Sequence, residues 1–359
     1  MAPIRVLKGM PDVQLTKEQF AARFRQRFYD PAFDGLTAEI DSLIEKAWDG
    51  YDDYRKSPRT RPAGKEFQDP EYDTSIEWLD TRDRIKEAQG RQQDKSGPSR
   101  ILLVNGSSRS DQSCPGEMSK TWRLVELARD VVAAERGFET DIIDLSRLTS
   151  EYGRTIYPCK ACLSTAQPLC HWPCSCYPNH AMGQVNDWMN ELYPMWVAAH
   201  GIMIVTPVNW YQAPSSLKLM IDRLVCADGG NPDVTSTSGK DARKAKEIEL
   251  KGWPYPRHLA GRAFSVVVHG DAAGVETLRR VLTDWANDIG LIPAGYKSTI
   301  GHYVGYLEPY ATSHDDLDAD EAFRHDVGNA ARALVNAVKQ LRKGELNPPD
   351  AGLHEAKPK

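Results

Sequence analysis

Hydrophobic and polar positions follow one rhythm up to about residue 95 and another beyond it. From residue 100 short apolar runs alternate with amphipathic stretches. ILLVNG (101–106) is continuously apolar and closes in a turn, which predicts a strand buried on both faces. A helical pattern over 116–137 stops at Gly137, and FETDIIDLS (138–146) reads as the next strand. VNDWMNELYPMWVAAH (185–200) predicts a helix, GIMIVTPV (201–208) a strand and PSSLKLMIDRLV (214–225) a helix with Pro214 at its start. FSVVVHG (264–270), GVETLRRVLTDWANDIG (274–290) and LIPAGYKS (291–298) continue as strand, helix and fifth strand, and 321–344 is a last helix. Strands and helices alternating in this way predict an α/β fold: a doubly wound, five-stranded parallel sheet in a three-layer αβα domain over 96–343. Its crossovers should be right-handed.

Residues 1–95 carry no strand-like run and predict a helical N-terminal extension. Thr16 with Gln19 and Thr74 with Glu77 have capping-box spacing. Leu36, Ile40, Leu43, Ile44 and Trp48 fall on one helical stripe. The aromatic positions Phe20, Phe24, Phe28 and Trp48 suit either an arm around a neighbouring subunit or packing on the chain's own domain. QQDKSGPS (92–99) reads as a linker, 228–260 as a polar insertion and 344–359 as a disordered tail.

The net charge of -5 and pI near 6.0 leave no broad positive field for a phosphate backbone, so nucleic acid is not an expected partner. GKDARKAKEIELKG (239–252) is basic only at its start and reads as a solvated helix face. The N-terminus lacks the apolar core of a secretory signal, and the longest apolar run, 201–205, is too short for a bilayer. A cytoplasmic protein without a membrane partner is expected. In that reducing setting seven cysteines argue against a disulfide framework.

In an open parallel sheet ligands bind beyond the carboxyl ends of the strands, where strand order reverses. NGSSRSDQSCPGEMSKT (105–121) leads from the first strand to a helix N-terminus, with Ser107, Ser108, Arg109, Ser113, Ser119 and Thr121 as anion donors. It matches neither the Walker P-loop nor the dinucleotide fingerprint. TPVNWYQAPSSLK (206–218) offers backbone amides for the edge of a planar heterocycle, with Trp210 and Tyr211 as walls or as core residues. His269, Gly270 and Asp271 reach the same rim. Together the loops outline a ligand with a phosphate at one end and a flat ring at the other. FMN fits that outline.

The sequences G-S-S-R, T-P-V-N-W-Y and S-L-K-x-x-x-D-R, spread over about 100–300, resemble the NADPH-dependent FMN reductase family of flavodoxin-like proteins. The resemblance implies that Ser107, Arg109 and Ser113 bind the FMN phosphate, within a loop longer than usual before Ser119 and Thr121. It also implies that Pro207, Val208, Asn209 and Trp210, beside Tyr211, border the isoalloxazine, and that His269, Gly270 and Asp271 flank the ring. The implied protein is a homodimer or homotetramer that takes hydride from NAD(P)H and passes electrons to a quinone, flavin or other small-molecule acceptor. The cofactor supplies that chemistry, so no side chain is nominated as a catalytic acid or base. A flavodoxin-like carrier without NAD(P)H activity is the alternative, and the mild net charge favours the enzyme. A degenerate, non-binding scaffold is a third reading. His200, before the third strand, lies at the opposite end of the sheet and reads as structural.

CKACLSTAQPLCHWPCSC (159–176) starts on the same rim. Cys159 and Cys162 have metal-ligand spacing, and Cys170 and Cys174, with Cys176 as a further candidate, would complete a set in which His171 or His180 could substitute. The segment partly resembles that of the iron-sulfur flavoproteins, with a gap of seven residues where their pattern has two. An iron-sulfur cluster, a zinc ion and plain buried thiols remain open alternatives. Cys114 and Cys226 are isolated.

Overall fold

The computed structural model describes residues 7–8, 14–110 and 118–346. Its centre is five parallel strands: β1 (Ser99–Asn105), β2 (Phe138–Asp144), β3 (Gly201–Pro207), β4 (Ala263–Gly270) and β5 (Thr299–Tyr303). They lie in the order β5-β4-β3-β1-β2, with the short strand Ile292–Pro293 added beside β4. This is the flavodoxin-like order, and its winding reverses between β1 and β3. In register, Leu103 of β1 sits between Ile142 and Met203, and Val205 of β3 is opposite Val267 of β4.

Alternation along each strand divides the core in two. Leu102, Val104, Ile202, Ile204, Phe264 and Val266 share one cluster, whereas Ile101, Leu103, Met203, Val205 and Val267 share the other. Helices α1 (Lys120–Ala133) and α5 (Glu321–Lys343) cover the second face, through Leu124, Val125, Val327 and Leu334. Helices α2 (Met189–Ala198), α3 (Ser215–Arg223) and α4 (Val275–Asp288) cover the first, through Trp196, Leu217 and Leu282. Each such fully buried side chain contributes about 1.5–3 kcal/mol over its exposed state.

The fifth strand differs from expectation. LIPAGYKS gives only Ile292–Pro293 before a 3-10 turn over Tyr296–Ser298, and Thr299–Tyr303 pairs with β4 instead. Pro293 has no N–H for a ladder, and Gly295 turns the chain at φ +119°. The true fifth strand is an edge strand that stays partly exposed, so its sequence carries little hydrophobic signal.

The extension also departs from a purely helical reading. Leu7–Lys8 pairs with Arg55–Ser57, and Thr60–Pro62 with Asp73–Ser75, in short antiparallel ladders. Thr16 caps helix Lys17–Arg25 through the expected box, accepting from Gln19 N while Gln19 Oε1 accepts from Thr16 N. The second box does not form, because helix Ile76–Gln93 begins after Ser75, whose hydroxyl donates to Glu77 at 2.8 Å. That helix lies on α2 and adds Ile85 and Ala88 to the sheet's own core. Phe20 meets Trp48 and Tyr51 of helix Thr37–Asp52, with ring centroids 5.5 and 4.9 Å away. These aromatic contacts lie within the extension itself. Leu36 and Leu43 of the expected stripe remain exposed.

At the amino end of the sheet one clamp joins extension, core and last helix. Arg342 of α5 donates to the carbonyls of Asp94, Lys95, Gly97 and Pro98. Beside it His200 Nδ1 accepts from Arg100 N at 2.9 Å, so Nε2 carries the proton and donates to Gln92 O at 2.9 Å. Burial, with Arg342 second, holds His200 down to about 4, and burial likewise lowers His258 to about 4. Both histidines are neutral when folded and take up protons near 6.5 when unfolded. Stability is therefore full above about pH 6.5 and falls as pH drops toward 4. Urea midpoints measured at pH 7.5 and pH 5 should decline accordingly, and His200→Asn should flatten the decline.

Candidate functional site

The strand-order reversal leaves two loops diverging from β1 and β3, and the loop after β4 joins them at the same rim. Asn105 ends β1 by donating to Asp144 Oδ1 at 2.8 Å, while its own Oδ1 accepts from Ser107 N at 3.1 Å. Ser107 Oγ then accepts from Arg109 N at 3.1 Å, which coils the loop start tightly. Ser108 reaches Ser216 at the start of α3, Oγ to Oγ at 2.8 Å. Ser113 and Cys114 lie outside the described residues. Ser119 caps α1 by accepting from Trp122 N, and Thr121 Oγ1 is 2.8 Å from His269 Nε2, so both hydroxyls already serve the protein.

The loop after β3 is a two-residue turn. Asn209 and Gln212 exchange backbone hydrogen bonds of 2.9 Å each way, and Trp210 and Tyr211 between them are left-handed at φ 47° and 66°. Non-glycine residues held there cost of order 1–3 kcal/mol each. The turn directs both rings outward, with Trp210 95% and Tyr211 58% exposed, so the core-packing alternative for this pair does not hold. Val208 N donates to His269 O at 2.8 Å and ties this loop to the end of β4. Pro207 pairs with His269 in the ladder.

Packing leaves no slack at that junction. A Cβ on Gly270 would come within 2.5 Å of Val208 and 2.9 Å of Val275, and one on Gly274, at φ +92°, would meet the Tyr211 backbone at 2.9 Å. His269 is buried, with Nδ1 lacking a partner among the described residues. Burial first, then nearby Lys120, lowers its pKa to about 3 and keeps the ring neutral. Asp271 is exposed and accepts from Lys120 Nζ at 3.0 Å, and the same ammonium donates to Val304 O at 3.3 Å after β5.

Lys120 is the residue that sequence reasoning missed. It opens α1, where the helix macrodipole disfavours a cation, yet its side chain is only 10% exposed. A lysine between the two expected donors, Ser119 and Thr121, was the available signal. Through it the loops after β1, β4 and β5 are held together around the amino end of α1. Positive charge at the coiled loop and helix start, with two flat rings facing solvent, fits a phosphorylated planar cofactor.

The cysteine segment folds beside this rim rather than across it. A bridge between His171 and Asn231 fixes its middle to the insertion, and Trp78 Nε1 donates to Pro173 O at 2.8 Å. Cys162 lies within hydrogen-bonding reach of Cys170 and Cys176, and Cys174 of Cys176. Cys162 Sγ also accepts from Lys240 Nζ at 3.1 Å. The contact with Cys176, with burial behind it, pushes the Cys174 thiol well up, and burial pushes Cys226 up to about 12. His171 spends its two ring nitrogens on Ser175 and Thr237, so it does not substitute for a thiol, and His180 Nε2 lies 3.7 Å from Glu77. Among the described residues no three His, Cys, Asp or Glu side chains close around a metal ion. The thiols gather, but in this arrangement they do not fit one. No helix of the described residues is long and apolar enough to cross a membrane.

Known proteins resemble this chain over the same region. An iron-sulfur flavoprotein of Methanosarcina thermophila is 27% identical over 245 residues, covering 68% of this chain and 97% of that protein. Among solved structures, RosB with a bound 8-demethyl-8-formylriboflavin-5'-phosphate intermediate is similar at a TM-score of 0.48 and 13% identity, over 69% of this chain and 82% of RosB. An NAD(P)H:quinone oxidoreductase from Methanothermobacter marburgensis is similar at 0.35 and 13%, over 69% of this chain and 100% of its own. The NADPH-dependent FMN reductase family matches residues 99–296, from the first residue of β1 to the turn before β5, and the chain belongs to that family of FMN-dependent oxidoreductases.

Proposed function

We propose that the domain over 96–343 binds FMN at the carboxyl rim and works as an NAD(P)H oxidoreductase on a small acceptor such as a quinone or free flavin. The observation that carries this reading is the convergence of three rim loops at the strand-order reversal, with the Trp210 and Tyr211 rings open to solvent beside them. Ser107, Arg109, Ser113 and Lys120 would surround the phosphate, with Ser119 and Thr121 contributing from the start of α1 through backbone N–H groups, since their hydroxyls are engaged. Pro207, Val208, Asn209, Trp210 and Tyr211 would border the isoalloxazine from one side, and His269, Gly270 and Asp271 from the other. Bound FMN supplies hydride acceptance and electron release.

The chain's own residues supply position and field. Lys120 and Asp271 fix the rim loops, so the site is held before any ligand arrives. Neutral His269 would add no charge next to a bound ring and spaces β4 from α1 through Thr121. The exposed Trp210 face would suit stacking of a flat donor or acceptor, or of a neighbouring subunit in the proposed homodimer or homotetramer. Anaerobic mixing of the FMN-loaded protein with NADPH or NADH should bleach the flavin absorbance, and an unbleached flavin would sink the proposal. Gly270→Ala should weaken FMN binding about tenfold or more, about 1.4 kcal/mol per tenfold, by prising Val208 from Val275. Equilibrium dialysis of FMN reads this directly.

A second reading is favoured by the gathered thiols and by similarity to an iron-sulfur flavoprotein. In it Cys159, Cys162, Cys170 and Cys174, or Cys176, would have to rearrange to hold an iron-sulfur cluster, or a zinc ion in a purely structural role, and the protein would be an electron carrier without NAD(P)H activity of its own. Iron, zinc and acid-labile sulfide assayed in anaerobically purified protein should then approach whole-number ratios to chain. Their absence removes this reading and leaves the flavin proposal standing.

A further inference from the structure

A cavity of about 160 Å³ lies away from the rim, where the extension, the end of the cysteine segment and the insertion meet. Lys56 and Lys240 line it, together with Ser57, Tyr72, Trp78 and Ser238. Both lysines are half-buried, and neither pairs with a carboxylate among the described residues. Lys240 donates to Cys162 Sγ and to Leu169 O at 2.7 Å, which leaves one N–H of its ammonium, while Lys56 donates to Ser175 O and keeps two. The Ser57 and Tyr72 hydroxyls also line the space without a protein partner among the described residues. Two ammonium groups and two hydroxyls thus line one small space, with no carboxylate among the described residues that line it.

We propose that this cavity binds a small oxyanion of the sulfate or phosphate class. Bringing two like charges into a recess is unfavourable unless an opposite charge joins them, and an oxyanion accepts from every donor present. The volume admits a tetrahedral oxyanion with water and lies below the about 300–1,000 Å³ of sites for larger organic ligands. FMN and dinucleotides are therefore excluded by size, and the site is separate from the flavin site. Its walls come from three stretches distant in sequence: Lys56–Trp78 of the extension, Ser175–Pro178 after the cysteines, and Val234–Lys240 of the insertion. A bound oxyanion would fasten the extension to the cysteine segment.

The test uses FMN-loaded full-length protein, so that the flavin's own phosphate occupies the rim. Sulfate, phosphate and chloride are compared at matched ionic strength by calorimetric titration and thermal unfolding. Sulfate or phosphate should bind saturably and raise Tm above the chloride value, with the flavin absorbance unchanged. Lys56→Met and the milder Tyr72→Phe should weaken that binding, the former at least tenfold. Equal effects of all three salts would overturn the proposal, as would loss of flavin on adding sulfate, which would place the anion at the rim. It is equally overturned if no oxyanion binds and Lys56→Met instead lowers thiolate absorbance near 240 nm, for then the cysteines supply the balancing charge.

Discussion

Strand β1 imposes the constraint on which everything else rests. It pairs on both sides at the point where the winding reverses, and it is buried on both faces, with Ile101, Leu102, Leu103 and Val104 all enclosed. Its neighbours β2 and β3 are reached by crossovers leaving in opposite directions, so covering helices are forced onto both faces. The loops that emerge from β1 and β3 cannot close over one another. A crevice at their carboxyl ends is the geometric residue of that winding.

Holding the crevice in shape requires several locally unfavourable features. Lys120 stands at the positive end of a helix, His269 is buried and neutral, and Trp210 and Tyr211 sit in left-handed backbone. Each is compensated by a specific neighbour: Asp271 and Val304 for the lysine, Thr121 for the histidine, and the Asn209–Gln212 exchange for the turn. Such concentrations of local strain are characteristic of places where a protein binds rather than merely packs.

The sheet was legible because its central strands are apolar on both faces, and runs such as ILLVNG and FSVVVHG cannot sit anywhere else. The edge strand Thr299–Tyr303 was not, since an edge buries little and announces little. The two- and three-residue ladders of the extension are too short to show a period at all. At the rim, residue type and position relative to strand ends pointed to Ser107, Trp210 and His269, whereas Lys120 acts through partners more than 150 residues away that no local pattern encodes. The cysteine spacing suggested ligands, but a spacing does not say which way each thiol turns. That depends on the insertion, through Asn231 and Lys240.

The clamp made by Arg342 has a bearing on how the chain is made. Its guanidinium fastens carbonyls at Asp94, Lys95, Gly97 and Pro98, almost 250 residues upstream. During synthesis from the ribosome the extension and β1 emerge well before the residue that pins the joint between them, which is translated almost 250 residues later. Until then the stretch ahead of β1 has those carbonyls open to water, so this joint of the nascent protein waits, unfastened, for a helix made much later.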